Sequence, residues 1–458
     1  MVFGSLTFLY FFLPAALVCY HILPKRAIGA RNIVLLLFSL GFYCYGEPRM
    51  VVLLLASIGM NYGFGRWVHV KHQKLILCLC IALNLGALLV FKYLDFLIGA
   101  VNTLLRLHLP LPELSMPIGI SFYTFQAMSY VIDVSRGKVP PQKNILLLAL
   151  YVSMFPQLVA GPIVRYGDLA AQLTERDVSF SQIGRGVPRF VLGLSKKVLL
   201  ANTLAKIADG VFSYAPAALS SAAAWLGAIA YMLQIYFDFS GYSDMAIGLG
   251  RMFGFSFPEN FDHPYRSRSI TEFWRCWHMS LSAWFRDYVY IPLGGNHCTT
   301  QKHIRNLLIV WTLTGLWHGA NYTLLAWGLY FGLLLIAEKY WLKELLAKLP
   351  PVIAHAYALL AVLIGWVLFR SDSLSYALAF LRAMVSFSIP VNAFVWEYLI
   401  RFGWAVLIGT VCTLVRAPSL RRPGICKFAA PPVLAGALLL CTMALLADGY
   451  NPFLYFRF

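Results

Sequence analysis

Long apolar runs recur along the whole chain, each bounded by a few polar or charged residues. Runs able to cross all or most of the roughly 30 Å of bilayer hydrocarbon lie near 3–23, 33–46, 50–65, 75–100, 116–133, 144–162, 187–212, 222–250, 306–337, 352–369, 394–415 and 431–448. This pattern predicts an all-α, polytopic integral membrane protein with roughly ten to twelve transmembrane helices plus interfacial ones. No internal repeat of the kind that marks many transporters and no low-complexity linker is visible, so one membrane domain over 1–458 is the economical organisation.

Two regions depart from plain spans. Residues 251–305 are too polar to cross a bilayer yet are dense in Trp, Tyr, Arg and His. Within them Ser269 and Glu272 have capping-box spacing, which predicts a helix running on through Phe273, Trp274, Trp277, His278 and Leu281 at the interface. The second region, 306–337, contains no Asp, Glu, Lys or Arg. A continuous helix of that length would measure about 48 Å, so it must tilt or break, and Gly315 and Gly319 offer the break.

Composition agrees with lipid as the main solvent. Hydrophobic residues make up 60% of the 458 and charged residues only 12%, about half the usual globular share, and the mean hydropathy is +0.70. The formal charge of +18 would suggest nucleic acid in a soluble chain; here it fits basic cytoplasmic loops facing anionic membrane lipids, and no nucleic-acid partner is expected. The nine cysteines are scattered, with no CxxC pair, which speaks against a disulfide framework. Residues 1–23 are apolar with no basic residue before them, while Lys25 and Arg26 follow. That order predicts a first transmembrane helix with an external N-terminus rather than a cleaved signal.

An ionisable side chain deep in an apolar run is expensive and is by default a functional-site candidate. His318 is the foremost. On an uninterrupted helix Thr314, Asn321, Tyr322 and Leu325 would share its face, and Trp317 adjoins it. Burial would keep the imidazole neutral, as a general base requires; the alternative is a histidine merely hydrogen-bonded between packed helices. His278, four residues after Trp274, is either a second catalytic group or a headgroup anchor. Cys276, His278, His297, Cys298 and His303 match no usual metal-ligand spacing, so no metal site is expected. Gln234, Asp238 and Tyr242 fall on one helical face, with Asp244 nearly opposite Asp238. They could form the polar wall of a tunnel or a structural ion pair, with Arg251, Arg266 and Arg268 as candidate partners. Arg286 and Asp287 are expected to brace the polar loop.

Several blocks together resemble the membrane-bound O-acyltransferase family, and most closely its bacterial branch typified by alginate O-acetyltransferase. They are PIGISFYTFQAMSYVIDVSRG (117–137), MFPQLVAGPIVRY (154–166), QIYFDFSGYSDMAIGLGRMFGF (234–255), NFDHPYRSRSITEFWRCWHMSLSAWFRDYVYIPLGGN (260–296), TGLWHGANYTLLAWGLYFG (314–332) and NPFLYFRF (451–458). The resemblance implies helices around a membrane-crossing tunnel faced by two histidines. The histidine of the family's WHG motif falls on His318 and that of its RRWH motif on His278, where Cys276 replaces the second arginine. It further implies an acyl thioester such as acetyl-CoA as a donor substrate, with no tightly bound cofactor. The expected partners are a polysaccharide biosynthesis complex and a periplasmic or surface-anchored serine esterase-like acetyltransferase that completes transfer to a secreted polymer such as alginate. D-alanyl transfer to teichoic acids through the same fold, and a transporter or flippase without covalent chemistry, are the competing expectations.

Charge bias in short loops sets orientation. The segments holding Lys25 to Arg31, Lys71, and Arg421 with Arg422 are therefore expected on the cytoplasmic side of the inner membrane, and the N-terminus outside. Reporter fusions or cysteine labelling check this, and an external Lys25–Arg31 segment would overturn it.

Overall fold

The computed structural model describes residues 1–69, 72–159, 161–415 and 426–450, with 426–430 described by backbone alone. Lys71, Arg421, Arg422 and the closing NPFLYFRF block lie outside these residues. Each apolar run named above is built of helix, and no strand forms among the described residues. Five helices among them are long and apolar enough to cross a membrane: Ile28–Gly46, Gln73–Leu105, Ser221–Met252, Pro351–Arg370 and Ala393–Leu414. Other runs are interrupted. Residues 144–162 fold as Ile145–Ser153 and a separate turn Phe155–Leu158, because Pro156, which has no N–H, sits in the first turn of a new helix.

The chain forms two compact units, Met1–Phe190 with Tyr242–Pro258, and Val191–Gly241 with Glu259–Phe458. In the first unit Phe8, Phe12, Phe42 and Phe155 pack ring against ring, and Phe3 stacks on Tyr242 at 4.5 Å. Asn61 and Asn84 exchange reciprocal amide hydrogen bonds of 3.1 and 3.0 Å, so neither leaves a polar atom wasted in an apolar setting. Arg31 is not a loop residue. It lies in the first turn of Ile28–Gly46, 2% exposed, with its Nη2 donating to Leu23 O at 2.6 Å and its guanidinium 5.1 Å from the Tyr20 ring. The exposed positive charge before this helix is that of Lys25 and Arg26.

The first unit also pairs Asp244 with Arg189 at 2.6 Å. In the second, Asp238 pairs with Lys197 at 2.6 Å, both side chains almost wholly buried. These two basic residues precede the long helix, whereas the sequence offered Arg251, Arg266 and Arg268; helical packing, not proximity in sequence, chose the partners. Lys197 lies in a π-helical stretch, Lys196–Ala201, that joins Phe180–Ser195 to Asn202–Phe212 without interrupting the helix.

The run 306–337 breaks, as its length demands. Helix Thr300–His318 ends at Gly319, and Tyr322–Ala337 begins after Asn321, whose Oδ1 accepts from Thr323 N at 3.1 Å. Gly319 is the cap; Gly315 has a different task. A Cβ at Gly315 would fall 2.5 Å from Leu324 O and 3.4 Å from Gly328 Cα, so glycine at both positions lets the two helix backbones touch.

Gly315→Ala is expected to lower thermal stability by about 1–3 kcal/mol through forced separation of these helices. Gly41→Ala, where a Cβ meets nothing within 4 Å, should not lower it. Size-exclusion melting of the two variants in detergent checks the contrast; equal melting curves would overturn the close-packing argument.

The buried pair predicts a second asymmetry. Asp238→Ala strands the Lys197 ammonium and is expected to cost about 3–5 kcal/mol, whereas Lys197→Met with Asp238→Leu removes both charges and should recover most of that loss. The same melting assay reads it, and a double variant no better than Asp238→Ala would show that the pair is not a closed charge balance.

Candidate active site

The site is built within the second unit from two helix interruptions. The first lies at His278. Ser269 caps helix Ile270–Cys276 by accepting from Glu272 N at 3.0 Å, and the Glu272 carboxylate accepts from Arg268 N at 2.8 Å, close to the capping-box arrangement its spacing predicts. The helix does not run on through His278 to Leu281. It stops at Cys276, and His278 takes a left-handed conformation, φ 44° and ψ 52°, before a new helix Met279–Phe285. Such a backbone costs a non-glycine residue about 1–3 kcal/mol.

The interruption is held by the segment around Asn260. Met279 N donates to Asn260 O and Asp262 N donates to Cys276 O, each at 3.0 Å, so backbone groups freed by ending the helix find partners. At the other end of Ile270–Cys276 the buried Glu338 carboxylate accepts from Ile270 N at 2.6 Å, Thr271 N at 2.8 Å and Thr271 Oγ1 at 2.6 Å. A carboxylate on the first turn of a helix also complements the helix dipole.

The second interruption puts His318 on the last residue of Thr300–His318. His278 and His318 both border one cavity of about 300 Å³. Its wall is mainly apolar, with Trp274, Leu281, Phe285, Val310 and Trp311, and it receives Arg275, Arg286, Tyr290 and Thr314 as polar members. The imidazoles are 1% and 8% exposed. The His278 ring packs edge-on against Phe239 at 4.6 Å, and His318 against Trp327 at 5.0 Å and Phe369 at 5.1 Å. Trp317 meets both, at 5.9 Å from His278 and 5.0 Å from His318.

His278 sits in a turn outside the helices long enough to span. Burial, with the neighbouring His318 adding to it, pushes its imidazole well below the ordinary value, so the ring is neutral at pH 7. Its Nε2, and Nε1 of Trp274, are buried with no hydrogen-bond partner among the described residues. An acceptor and a donor left open on residues of one cavity wall are what a polar substrate would satisfy.

Of the residues singled out in the sequence, His318, His278 and Trp274 come together at this cavity, with Trp317 packed against both histidines. Asn321 and Tyr322 do not reach it. The helix ends at Gly319, so the face they would have shared with His318 does not exist beyond Thr314; Asn321 serves as a cap and Tyr322 is 53% exposed. Asp238 is taken up by Lys197 and Tyr242 by Phe3, and neither borders the cavity. Arg286 donates to Asp287 at 2.8 Å, as the brace reading expects, while also bordering the cavity. His303 has hydroxyls on both nitrogens, Tyr290 at 2.8 Å and Tyr340 at 2.7 Å. Sequence reasoning missed Asn260, Arg275, Tyr290 and Glu338; the first three stand inside the block 260–296, but nothing in their spacing distinguishes them from its other polar residues.

The model of the membrane-bound O-acyltransferase family matches residues 67–369. The chain is 43% identical to the "probable alginate O-acetylase AlgI" of Azotobacter vinelandii over 396 residues, covering 84% of this chain and 78% of that one. It is 34% identical to the peptidoglycan O-acetyltransferase of Helicobacter pylori over 84% of this chain and 80% of that one. To the teichoic acid D-alanyltransferase of Streptococcus thermophilus it is 29% identical over 50% and 58%. The extent of the family match, the relatives matched over 84% of the chain and the helical, apolar fold of the described residues agree: the chain belongs to the membrane-bound O-acyltransferase family and is a multi-pass membrane acyltransferase.

Proposed function

We propose that this acyltransferase takes an acetyl group from a cytoplasmic thioester, acetyl-CoA, and passes it across the membrane for O-acetylation of a secreted polysaccharide such as alginate. The observation that carries the proposal is the pair of buried imidazoles on one cavity, in a chain 43% identical to an alginate O-acetylase. A hydroxyl is a poor nucleophile until a base takes its proton, and a neutral imidazole on the cavity wall can do so. His318 accepts the hydroxyl proton as the oxygen attacks the thioester carbonyl. The carbon–sulfur bond then breaks, and the proton returns to the leaving thiolate, giving an ester and free thiol. His278 presents a second neutral imidazole to the same volume and orients the thioester or the acceptor.

A long polymer needs an open groove, so an external serine esterase-like acetyltransferase within a polysaccharide biosynthesis complex completes the transfer. D-alanyl transfer is the weaker reading, since the likeness to the D-alanyltransferase covers half the chain; supplying a D-alanyl carrier thioester beside acetyl-CoA separates the two.

His318→Ala is expected to remove acetyl transfer, and His278→Ala to reduce it strongly, each by about 10²–10⁴-fold, with the protein still inserted. Coenzyme A release from acetyl-CoA by purified protein, with the external partner as acceptor, measures this. Near-normal release by the His318→Ala protein would falsify the assignment.

The pH profile follows from sign. A neutral imidazole accepts a proton and an imidazolium does not, so the rate falls as pH drops through the folded-state pKa. Burial lowers that value for His278, so its contribution should persist below pH ~6.5, the ordinary histidine value. An acidic limb lying above that value in the wild type, and unchanged in His278→Ala, would count against a role for neutral His278.

A further inference from the structure

We infer that Asn260 is a positioning residue that locks His278 in one tautomer, with the proton on Nδ1 and the lone pair on Nε2. This inference rests on the acyl-transfer reading only for its consequence, not for its geometry. Asn260 is wholly buried, and its Oδ1 lies 3.2 Å from Ser280 N, 2.9 Å from Ser280 Oγ and 3.2 Å from His278 Nδ1. A backbone N–H can only donate, so the amide atom that faces Ser280 N is the oxygen, and the amide cannot be flipped without setting donor against donor. The same oxygen faces His278 Nδ1, which must therefore carry the hydrogen. In a neutral ring this leaves Nε2 as the acceptor, and Nε2 is the buried atom without a partner.

The left-handed turn at His278 and the bond from Met279 N to Asn260 O fix the ring's attachment as well as its edge. His278 borders the cavity and Asn260 does not, and with Nδ1 against the asparagine Nε2 lies on the other side of the ring. The amide Nδ2 of Asn260 is itself buried without an acceptor. A residue present for stability alone would gain from satisfying that nitrogen, at about 1–3 kcal/mol for a stranded donor; what this asparagine provides is a carbonyl oxygen at one place. The charged or titratable groups sharing the cavity with His278 are His318, Arg275, Arg286 and Tyr290. Arg275 and Arg286 are cations that cannot accept from Nδ1–H, Tyr290 places its hydroxyl on His303 Nε2 at 2.8 Å, and the oxygen that faces Nδ1 is that of Asn260. In the reaction, Nε2 so presented accepts the hydrogen of the incoming hydroxyl or holds it toward His318.

The test has a structural and a kinetic arm. Magic-angle-spinning NMR of 15N-histidine-labelled protein, with His278→Gln to assign the signal, should show a neutral ring protonated at Nδ1, and Asn260→Leu should lose that single state. An Nε2-protonated ring in the wild type, or an unchanged tautomer in Asn260→Leu, overturns the inference whatever the activity. In the kinetic arm Asn260→Leu should lower coenzyme A release from acetyl-CoA by about 10–100-fold. Asn260→Asp keeps the acceptor oxygen and so keeps the turn, but its carboxylate favours the imidazolium. It should retain measurable turnover with the acidic limb moved to higher pH by about one unit or more. An Asn260→Asp enzyme with the wild-type limb would reduce Asn260 to a helix-capping residue. Correct tautomers in a protein that releases no coenzyme A would reject the acyl-transfer reading and leave the positioning intact.

Discussion

Ending a helix in an apolar interior strands N–H and C=O groups that no water can reach, and the site depends on how those ends are closed. Glu338 closes the start of Ile270–Cys276 with three hydrogen bonds, and Asn260 closes the turn after it with its side-chain and backbone oxygens. Between these two clamps the chain can afford a left-handed residue, and that residue is His278. The break at Gly319 follows the same rule, with Asn321 closing the new helix.

Around these polar clamps the second unit packs aromatic rings. Trp274, Trp311, Trp327 and Phe331 meet edge to face or tilted, at 4.7 to 6.2 Å between centroids. Rigid rings with few rotamers flank both imidazoles, beside the contact that Asn260 makes to His278 Nδ1. They also keep the cavity wall apolar, so charge developing on a reacting oxygen would be stabilised by a few fixed groups rather than by bulk water. The two carboxylates of the long apolar helix are neutralised in pairs, Asp238 with Lys197 and Asp244 with Arg189, so they serve packing while the imidazoles border the cavity.

Features that depend on local periodicity and on the solvent are legible in the order of residues. Apolar runs announced the helices, the Ser269–Glu272 spacing announced a cap, and an uncharged run about 48 Å long announced a break near Gly315 and Gly319. The ordered motif blocks carried the family, while His318 and His278 stood out as candidates already from their place in or beside apolar runs, and the resemblance pointed to the same two. Which polar groups meet was set by packing between distant segments. Asn260 and His278 are eighteen residues apart and Glu338 and Ile270 sixty-eight, distances over which no helical or strand period operates. Lys197 rather than a nearby arginine reached Asp238 for the same reason. Asn321 and Tyr322 left the face of His318 because the helix ends on that residue, and Gly315, inside the helix, packs against Gly328 instead of ending it. Periodicity fixes the direction of a side chain only as far as its own helix continues; beyond that end, packing between helices sets it.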